Sequence, residues 1–162
     1  MSDAPESTVA PVGKSAPKFK LPASTGETID LGAYADKTVI LYFYPKADTP
    51  GCTKQACGFR DALAGYKKLD IPVFGLSPDP VKDVTKFAEK FDLNFPLLAD
   101  EDHSVAEKYG VWVEKSMYGK KYMGVARTTF IVRQGKVAHV FEKVKPEGHD
   151  AEVMDWLKAN SK

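Results

Sequence analysis

The chain has 162 residues, of which 43% are hydrophobic, and this is sufficient for one domain with a proper core. Its 23 Lys and Arg residues nearly balance its 22 Asp and Glu residues, so the charge indicates neither a nucleic acid nor an acidic membrane as a partner. The longest apolar stretch, residues 38–44, is far too short to span a bilayer.

The first segment of the chain, residues 1–14, is polar and rich in acids, alanines and prolines, and it lacks the apolar core of a signal peptide. We therefore expect a flexible N-terminal arm at residues 1–14, one domain at residues 15–162 and a cytoplasmic protein. In a reducing compartment, the two cysteines of this chain are expected to be catalytic rather than structural.

The first strong structural signal is residues 38–44, which predict a central strand covered on both faces. Residues 50–68 follow with apolar side chains at helical spacing and predict a long amphipathic helix. Residues 114–124 have no clear period and are interpreted as a surface loop. The other predicted elements, in chain order, are a strand near residues 27–31, a strand at 71–76, a helix capped by Asp79 with Pro80 in its first turn, a strand near 96–98, a short helix ending at Gly110, strands at 128–132 and 137–141 joined by a tight turn, and a helix at about 150–159.

This order of strands and helices, closed by a hairpin and a last helix, is typical of a thioredoxin-type sheet. We therefore predict an α/β protein with a thioredoxin-like fold, in which a mixed central β-sheet is flanked by helices. The sheet is expected to be parallel at first and antiparallel at its edge.

The segment between the central strand and the long helix, residues 45–57, reads Pro-Lys-Ala-Asp-Thr-Pro-Gly-Cys-Thr-Lys-Gln-Ala-Cys. It places Cys52 in the first helical turn, where unpaired backbone N–H groups and the positive end of the helix dipole favour a thiolate. An ordinary thiol, with a pKa of about 8.5, is only a few per cent ionised near pH 7, and the thiolate is the nucleophile. Cys52 is therefore a candidate nucleophile and Cys57 a candidate partner.

The same segment resembles a known family. Pro45, Thr49 and Cys52 match the Pro-x-x-x-Thr-x-x-Cys signature of peroxiredoxins, and Arg127 matches the distant arginine of that family. Cys57, five residues after Cys52, resembles the arrangement in the bacterioferritin-comigratory-protein, or peroxiredoxin Q, subfamily. The resemblance extends over about residues 17–157 and implies a thiol peroxidase that reduces hydrogen peroxide and organic hydroperoxides without a metal, haem or flavin.

The resemblance also implies a catalytic cycle for the two cysteines. Cys52 attacks the peroxide and becomes a sulfenic acid, which Cys57 resolves as an intramolecular disulfide. Thioredoxin or a glutaredoxin-like dithiol then reduces the disulfide. Because one chain supplies both cysteines, the resemblance implies a monomer.

Further roles follow from the resemblance. Thr49 and Arg127 are expected to hold the peroxide together with the backbone N–H groups near Gly51 and Cys52, and Pro45 is expected to shield the cysteine from bulk water. Gln55 is expected to orient Arg127 by a hydrogen bond. A simpler role is available to Thr49, that of a helix N-cap, and Arg127 has the alternative of pairing with a nearby acid.

The spacing of the cysteines has a geometric consequence. Five residues along a helix turn about 140° beyond one full turn and rise roughly 7.5 Å. A disulfide needs Cα atoms within about 7 Å and converging Cβ vectors. An intact helix therefore cannot hold a Cys52–Cys57 bridge, and the first turns must unwind if the two cysteines pair. The alternative is that Cys57 is inert and only Cys52 reacts.

Three other interpretations of these residues are available. A thioredoxin-like dithiol exchanger needs Cys-x-x-Cys, whereas four residues separate the cysteines of this chain. A non-enzymatic thiol module would merely bury Cys52. A structural zinc site needs four ligands, and His103, His139 and His149 are scattered without ligand-like spacing, so we interpret them as surface residues and expect no metal.

Overall fold

The computed structural model describes residues 9–160 of the protein. A five-stranded sheet lies at the centre, and two small antiparallel ribbons are added to it. The elements in chain order are β1 (Lys20–Pro22), β2 (Thr28–Asp30), a 3-10 helix (Leu31–Tyr34), β3 (Thr38–Phe43), α1 (Pro50–Lys68), β4 (Val73–Ser77), α2 (Val81–Lys90), β5 (Leu97–Ala99), α3 (Ser104–Lys108), β6 (Trp112–Met117), β7 (Lys120–Val125), β8 (Thr128–Arg133), β9 (Lys136–Phe141) and α4 (His149–Ala159).

The central sheet has the strand order β5-β4-β3-β8-β9. Strands β3, β4 and β5 are parallel, while β8 and β9 are antiparallel additions. The predicted mixed sheet of the thioredoxin type is therefore confirmed. Strand β3 takes the central position, and residues 39–43 are each at most 1% exposed, because both of its faces are covered.

The alternation of side chains along β3 creates two separate cores. Val39, Leu41 and Phe43 point into a core shared with α3 and the N-terminal segments. Ile40 and Tyr42 point to the other side, into a core shared with α1, α2 and α4. Burying one such side chain contributes about 1.5–3 kcal/mol, so the side chains on both faces of the strand stabilise it.

The interpretation of residues 114–124 as a loop is wrong, because strands β6 and β7 form a hairpin there. Tyr118 and Gly119 lie between them with φ of 53° and 77°, the two positive values that a type I′ hairpin turn requires. Both faces of this ribbon carry exposed residues, so no alternation of apolar and polar positions marked it as a sheet.

Two smaller predictions also need correction. Helix α2 begins at Val81 with Pro80 at its N-cap, so Asp79 does not cap it. His149 is not a surface residue, since only 1% of it is exposed. Its ring lies between Phe59 and Phe141, with ring centroids 5.9 and 5.3 Å away.

The start of the chain is attached to the domain within the described residues. Ala10 N donates to Tyr109 O at 3.0 Å, and Gly13 N donates to Val137 O at 2.8 Å. Residues 1–8 of the expected arm lie outside the described residues, and the domain boundary after residue 14 stays a prediction. Between residues 9 and 160, no helix is both long and apolar enough to cross a membrane.

Candidate active site

Helix α1 begins at Pro50 and presents Cys52 in its first turn, as the sequence predicts. Cys52 is 1% exposed, and its side chain packs in the core beneath the helix. Nη2 of Arg127 donates to the Cys52 sulfur at 3.2 Å. The structure therefore brings the nucleophile candidate and the distant arginine into direct contact.

The sheet explains how a residue 75 positions away reaches Cys52. Phe43, the last residue of β3, pairs with Thr128, the first residue of β8. Arg127 therefore stands beside the carboxyl end of β3, and this is the end from which the chain continues into α1. Antiparallel pairing of neighbouring strands delivers the arginine to the helix N-terminus.

A second contact holds the guanidinium in place. Nη1 of Arg127 donates to Oε1 of Gln55 at 2.6 Å. Gln55 lies one helical turn after Cys52 on α1 and is 1% exposed. Because an Arg guanidinium is a rigid planar fork, anchoring one of its nitrogens fixes the direction of the other. The expected contact of Gln55 with Arg127 is present.

The first turn of α1 leaves backbone donors free at the same place. The first hydrogen bond of the helix runs from Thr53 N to Thr49 O at 2.8 Å. Among the residues that the structure describes, no acceptor faces the N–H of Gly51 or of Cys52. A Cβ on Gly51 would lie 3.3 Å from Nη2 of Arg127, so glycine permits the close approach of these groups.

Thr49 does not act as the side-chain cap of α1, although it occupies the N-cap position. Its hydroxyl donates to Lys46 O at 2.9 Å instead. The lone pairs of the hydroxyl oxygen are then the part of Thr49 left to bind another group. Pro45, which is half-buried, comes two residues after the end of β3 and lies at the start of the same loop.

This loop is held by two long-range contacts that the sequence did not reveal. Ala47 N donates to the buried carboxylate of Asp79 at 2.8 Å, and Asp48 pairs with Lys90 at 2.9 Å. The partners are 32 and 42 residues apart, so no local pattern connects them. Asp79 thus supports the loop before α1 rather than the start of α2.

Cys57 lies on the same uninterrupted helix as Cys52. It is half-buried, and both thiols are free. Because the two cysteines are five positions apart on the helix, the thiols point in different directions. The structure is therefore the reduced form, in which the two cysteines are held apart.

Two further features border the site. An open groove of about 410 Å³ is lined by Pro50, Gly51, Lys54, Lys145, Pro146 and Glu147. On β6, burial lowers the pKa of Lys115, and the positive charge of Arg127 lowers it further, while Cys52 opposes the shift. In the part of the chain covered by the structure, no three His, Cys, Asp or Glu side chains are grouped as a metal site.

Known proteins that are similar to this chain in sequence and in fold indicate its family. The model of the AhpC/TSA family matches residues 12–140. A putative peroxiredoxin bcp of Coxiella burnetii is 51% identical over 147 residues, which cover 90% of this chain and 97% of that protein. Peroxiredoxin Bcp of Escherichia coli is 48% identical over 150 residues, 92% of this chain and 96% of that protein. A structure of Xanthomonas campestris peroxiredoxin Q superposes with a TM-score of 0.84 at 37% identity, covering 89% of this chain and 92% of that one.

The matches extend over nearly the whole chain and agree in both sequence and fold. They exclude the readings of a dithiol exchanger and of a non-enzymatic thiol module, because peroxiredoxins are thiol peroxidases. The chain belongs to the AhpC/TSA family, within which it is a peroxiredoxin of the bacterioferritin-comigratory-protein, or Q, type.

Proposed function

We propose that Cys52 is the residue that reduces the peroxide and that Cys57 resolves the product. The observation that carries this proposal is the 3.2 Å contact between Arg127 and the Cys52 sulfur at a helix N-terminus. A cation and oriented N–H groups stabilise the thiolate, which is the reactive form of cysteine.

In the first step, the Cys52 thiolate attacks one oxygen of hydrogen peroxide or of an organic hydroperoxide. A sulfur–oxygen bond forms while the oxygen–oxygen bond breaks, and sulfur gives up two electrons. The leaving hydroxide or alkoxide takes a proton from solvent. The product on Cys52 is a sulfenic acid.

Charge develops on the leaving oxygen during this step. Arg127 and the free N–H groups of Gly51 and Cys52 are the donors positioned to stabilise it. The Thr49 hydroxyl accepts from the peroxide, since its own hydrogen is directed to Lys46 O. Pro45 covers one side of the site, and Gln55 keeps Arg127 oriented.

In the second step, the first turns of α1 unwind and the Cys57 thiol attacks the sulfenic sulfur. A disulfide forms between Cys52 and Cys57, and the sulfenic oxygen leaves as water. A dithiol of the thioredoxin or glutaredoxin type then supplies two electrons and two protons and restores both thiols. The cycle needs only one chain, and we propose that the protein acts as a monomer in the cytoplasm.

The test replaces each cysteine by serine and follows NADPH oxidation with thioredoxin, thioredoxin reductase and peroxide. Cys52→Ser should abolish turnover, because the buried nucleophile is lost. Cys57→Ser should give one rapid turnover and stop with a sulfenic acid on Cys52 that dimedone traps. Substantial coupled turnover by Cys52→Ser would show that the assignment of the nucleophile is wrong.

A further inference from the structure

The hairpin of β6 and β7 carries an unusual concentration of exposed apolar side chains. Within residues 9–160, seven large hydrophobic residues are exposed. Four of these belong to the hairpin, and they are Met117, Tyr118, Tyr122 and Met123. An exposed apolar cluster of this kind marks an interaction site more often than an isolated apolar residue does.

The pairing of the strands separates the hairpin into two faces. Side chains of directly paired residues share a face, and the face alternates along each strand. One face, here called the lysine face, carries Lys115, Met117, Lys120 and Tyr122. The opposite face carries Glu114, Ser116, Lys121 and Met123. The only acid of the hairpin, Glu114, is therefore absent from the lysine face.

The lysine face approaches the active site at the base of the hairpin. Strand β7 ends at Val125, two residues before Arg127. A Cβ on Gly124 would lie 3.4 Å from Cδ of Lys115, so the lysine stem lies beside this glycine. This directs the ammonium group toward the base of the hairpin, and the effects of Arg127 and Cys52 on its pKa agree with that direction.

The tip of the hairpin presents an exposed aromatic side chain that could contact another protein. Tyr118 is 97% exposed and has a φ of 53°. A bulky residue with positive φ is energetically unfavourable, and such positions are concentrated at functional sites. The type I′ turn sets this φ, and the nearly complete exposure of Tyr118 leaves its ring available for contact with another molecule.

We propose that the lysine face is the docking surface for the protein dithiol that reduces the Cys52–Cys57 disulfide. The inference rests on the proposed function, because that disulfide has to be reduced by an external dithiol. The partner surface that fits is apolar around its reactive cysteine, for contact with Met117 and Tyr122, and acidic at its rim, for contact with Lys115 and Lys120.

The chemistry of disulfide reduction requires the partner protein to bind close to the disulfide. In thiol–disulfide exchange the attacking sulfur must bond directly to a disulfide sulfur, so the two proteins must meet beside the unwound start of α1. A small peroxide needs no such area. A face with two cations, two apolar side chains and no acid supplies both contact area and charge complementarity at that position.

The experiment compares two variants with the wild type in two assays. The first variant combines Met117→Ser, Lys120→Glu and Tyr122→Ser on the lysine face. The matched control combines Lys121→Glu and Met123→Ser on the opposite face. Peroxide turnover is driven either by dithiothreitol, which needs no docking surface, or by thioredoxin and, separately, glutaredoxin.

The lysine-face variant should lose about tenfold in kcat/KM for the protein dithiol, which corresponds to about 1.4 kcal/mol. Its turnover with dithiothreitol should stay at the wild-type level, and the control variant should match the wild type in both assays. The rate with the protein dithiol should fall with added salt in the wild type more than in the lysine-face variant.

Other outcomes separate the two proposals. Absence of wild-type turnover even with dithiothreitol would refute the proposed function itself. The docking surface would be refuted if the wild type turned over with dithiothreitol but with neither thioredoxin nor glutaredoxin. It would also be refuted if the lysine-face variant turned over with the protein dithiol as fast as the wild type. If the wild type sedimented as a dimer and the lysine-face variant as a monomer, the face would be reassigned to self-association. If the variant lost only the binding to phosphatidylglycerol vesicles that the wild type shows, the face would be reassigned to lipid.

Discussion

Arg127 connects two residues of α1 through separate nitrogens. One nitrogen donates to the Cys52 sulfur at 3.2 Å, and the other donates to the buried Gln55 oxygen at 2.6 Å. A lysine ammonium lacks this fork, because its three donors radiate from one flexible point. In our proposal the arginine therefore contributes charge and also a fixed direction for a hydrogen bond to the transferred oxygen.

Replacing Arg127 by Ala should slow peroxide attack about 100- to 1000-fold, even at a pH where the thiol is fully ionised, because an oxyanion donor is lost. Arg127→Lys should lie between Ala and the wild type. The measurement is the rate of Cys52 oxidation by stopped flow with a stoichiometric amount of peroxide. Equal rates for Ala and wild type at high pH would confine Arg127 to stabilising the thiolate.

The resemblance to a known family allowed Cys52, Arg127 and Gln55 to be named from the sequence. The structure brings these three residues together. Contacts without a local pattern could not be named. Asp79 was assigned to a helix cap, but its carboxylate accepts from Ala47 N across two loops. Tertiary packing decides which N–H group donates to a carboxylate, and local propensity does not encode that choice.

At the scale of the element, helix α4 is attached to the sheet and to α1 through its first residue. The His149 ring is buried, with Nδ1 2.8 Å from Glu152 Oε1 and Nε2 2.8 Å from Thr129 Oγ1. A carboxylate only accepts, so Nδ1 donates to Glu152 and Nε2 accepts from Thr129 in the neutral ring. Burial lowers the pKa of His149 below its ordinary value, and Glu152 opposes this shift.

The stability of the protein should therefore fall when the pH is lowered through about 6.5, the ordinary pKa of histidine. Below that pH the unfolded chain binds a proton at His149 that the folded protein resists, so the unfolded state gains protons and stability. His149→Gln should flatten this part of the profile of unfolding free energy against pH, measured by urea denaturation. Burial also lowers the pKa of His139, but this effect on the pH profile is the same in the wild type and in His149→Gln.

A second variant sharpens this measurement. Glu152→Gln removes the charge that favours the protonated ring, so the loss of stability should extend to lower pH than in the wild type. Parallel profiles for wild type and His149→Gln would contradict the account of a buried neutral imidazole.

The elements themselves were predicted unevenly, for physical reasons. Helix α1 was predicted over its full length, because its buried stripe and its proline start agree with each other. The β6–β7 hairpin was missed, because a ribbon with exposed residues on both faces has no apolar period to read. Gly119 suits the positive φ of the turn, but Tyr118 is not one of the residues that usually mark a type I′ turn.

At the scale of the whole molecule, the proposed disulfide divides α1 at Phe59 into a first part that unwinds and a second part that stays helical. The first turns of α1 bury Cys52, Gln55 and Ala56. Phe59 comes next and is stacked on Tyr42 with ring centroids 4.8 Å apart. Unwinding beyond Phe59 would remove an aromatic residue from the core, which costs several kcal/mol, so we expect the change to stop before it.

The helical part of the fold beyond that residue is held independently. The Tyr66 hydroxyl donates to Asp150 O at 2.6 Å, and this hydrogen bond links the end of α1 to the start of α4. We therefore expect formation of the proposed disulfide to open only a short segment of α1, while the rest of the fold stays in place. Each helical hydrogen bond lost there costs about 0.5–1.5 kcal/mol net, so the oxidised protein should be less stable locally while its sheet is unaffected.

Hydrogen exchange in the reduced and the peroxide-oxidised protein tests this account most directly. Amides of residues 53–58 should lose protection on oxidation, while those of β3 and of residues 63–68 stay protected; amides 51 and 52 have no helical acceptor in either state. The Cys57→Ser variant, treated with the same peroxide, is the control and should keep the protection of the reduced helix. Unchanged protection of residues 53–58 in fully oxidised wild-type protein would show that α1 survives oxidation, and the Cys52–Cys57 bridge would have to be abandoned.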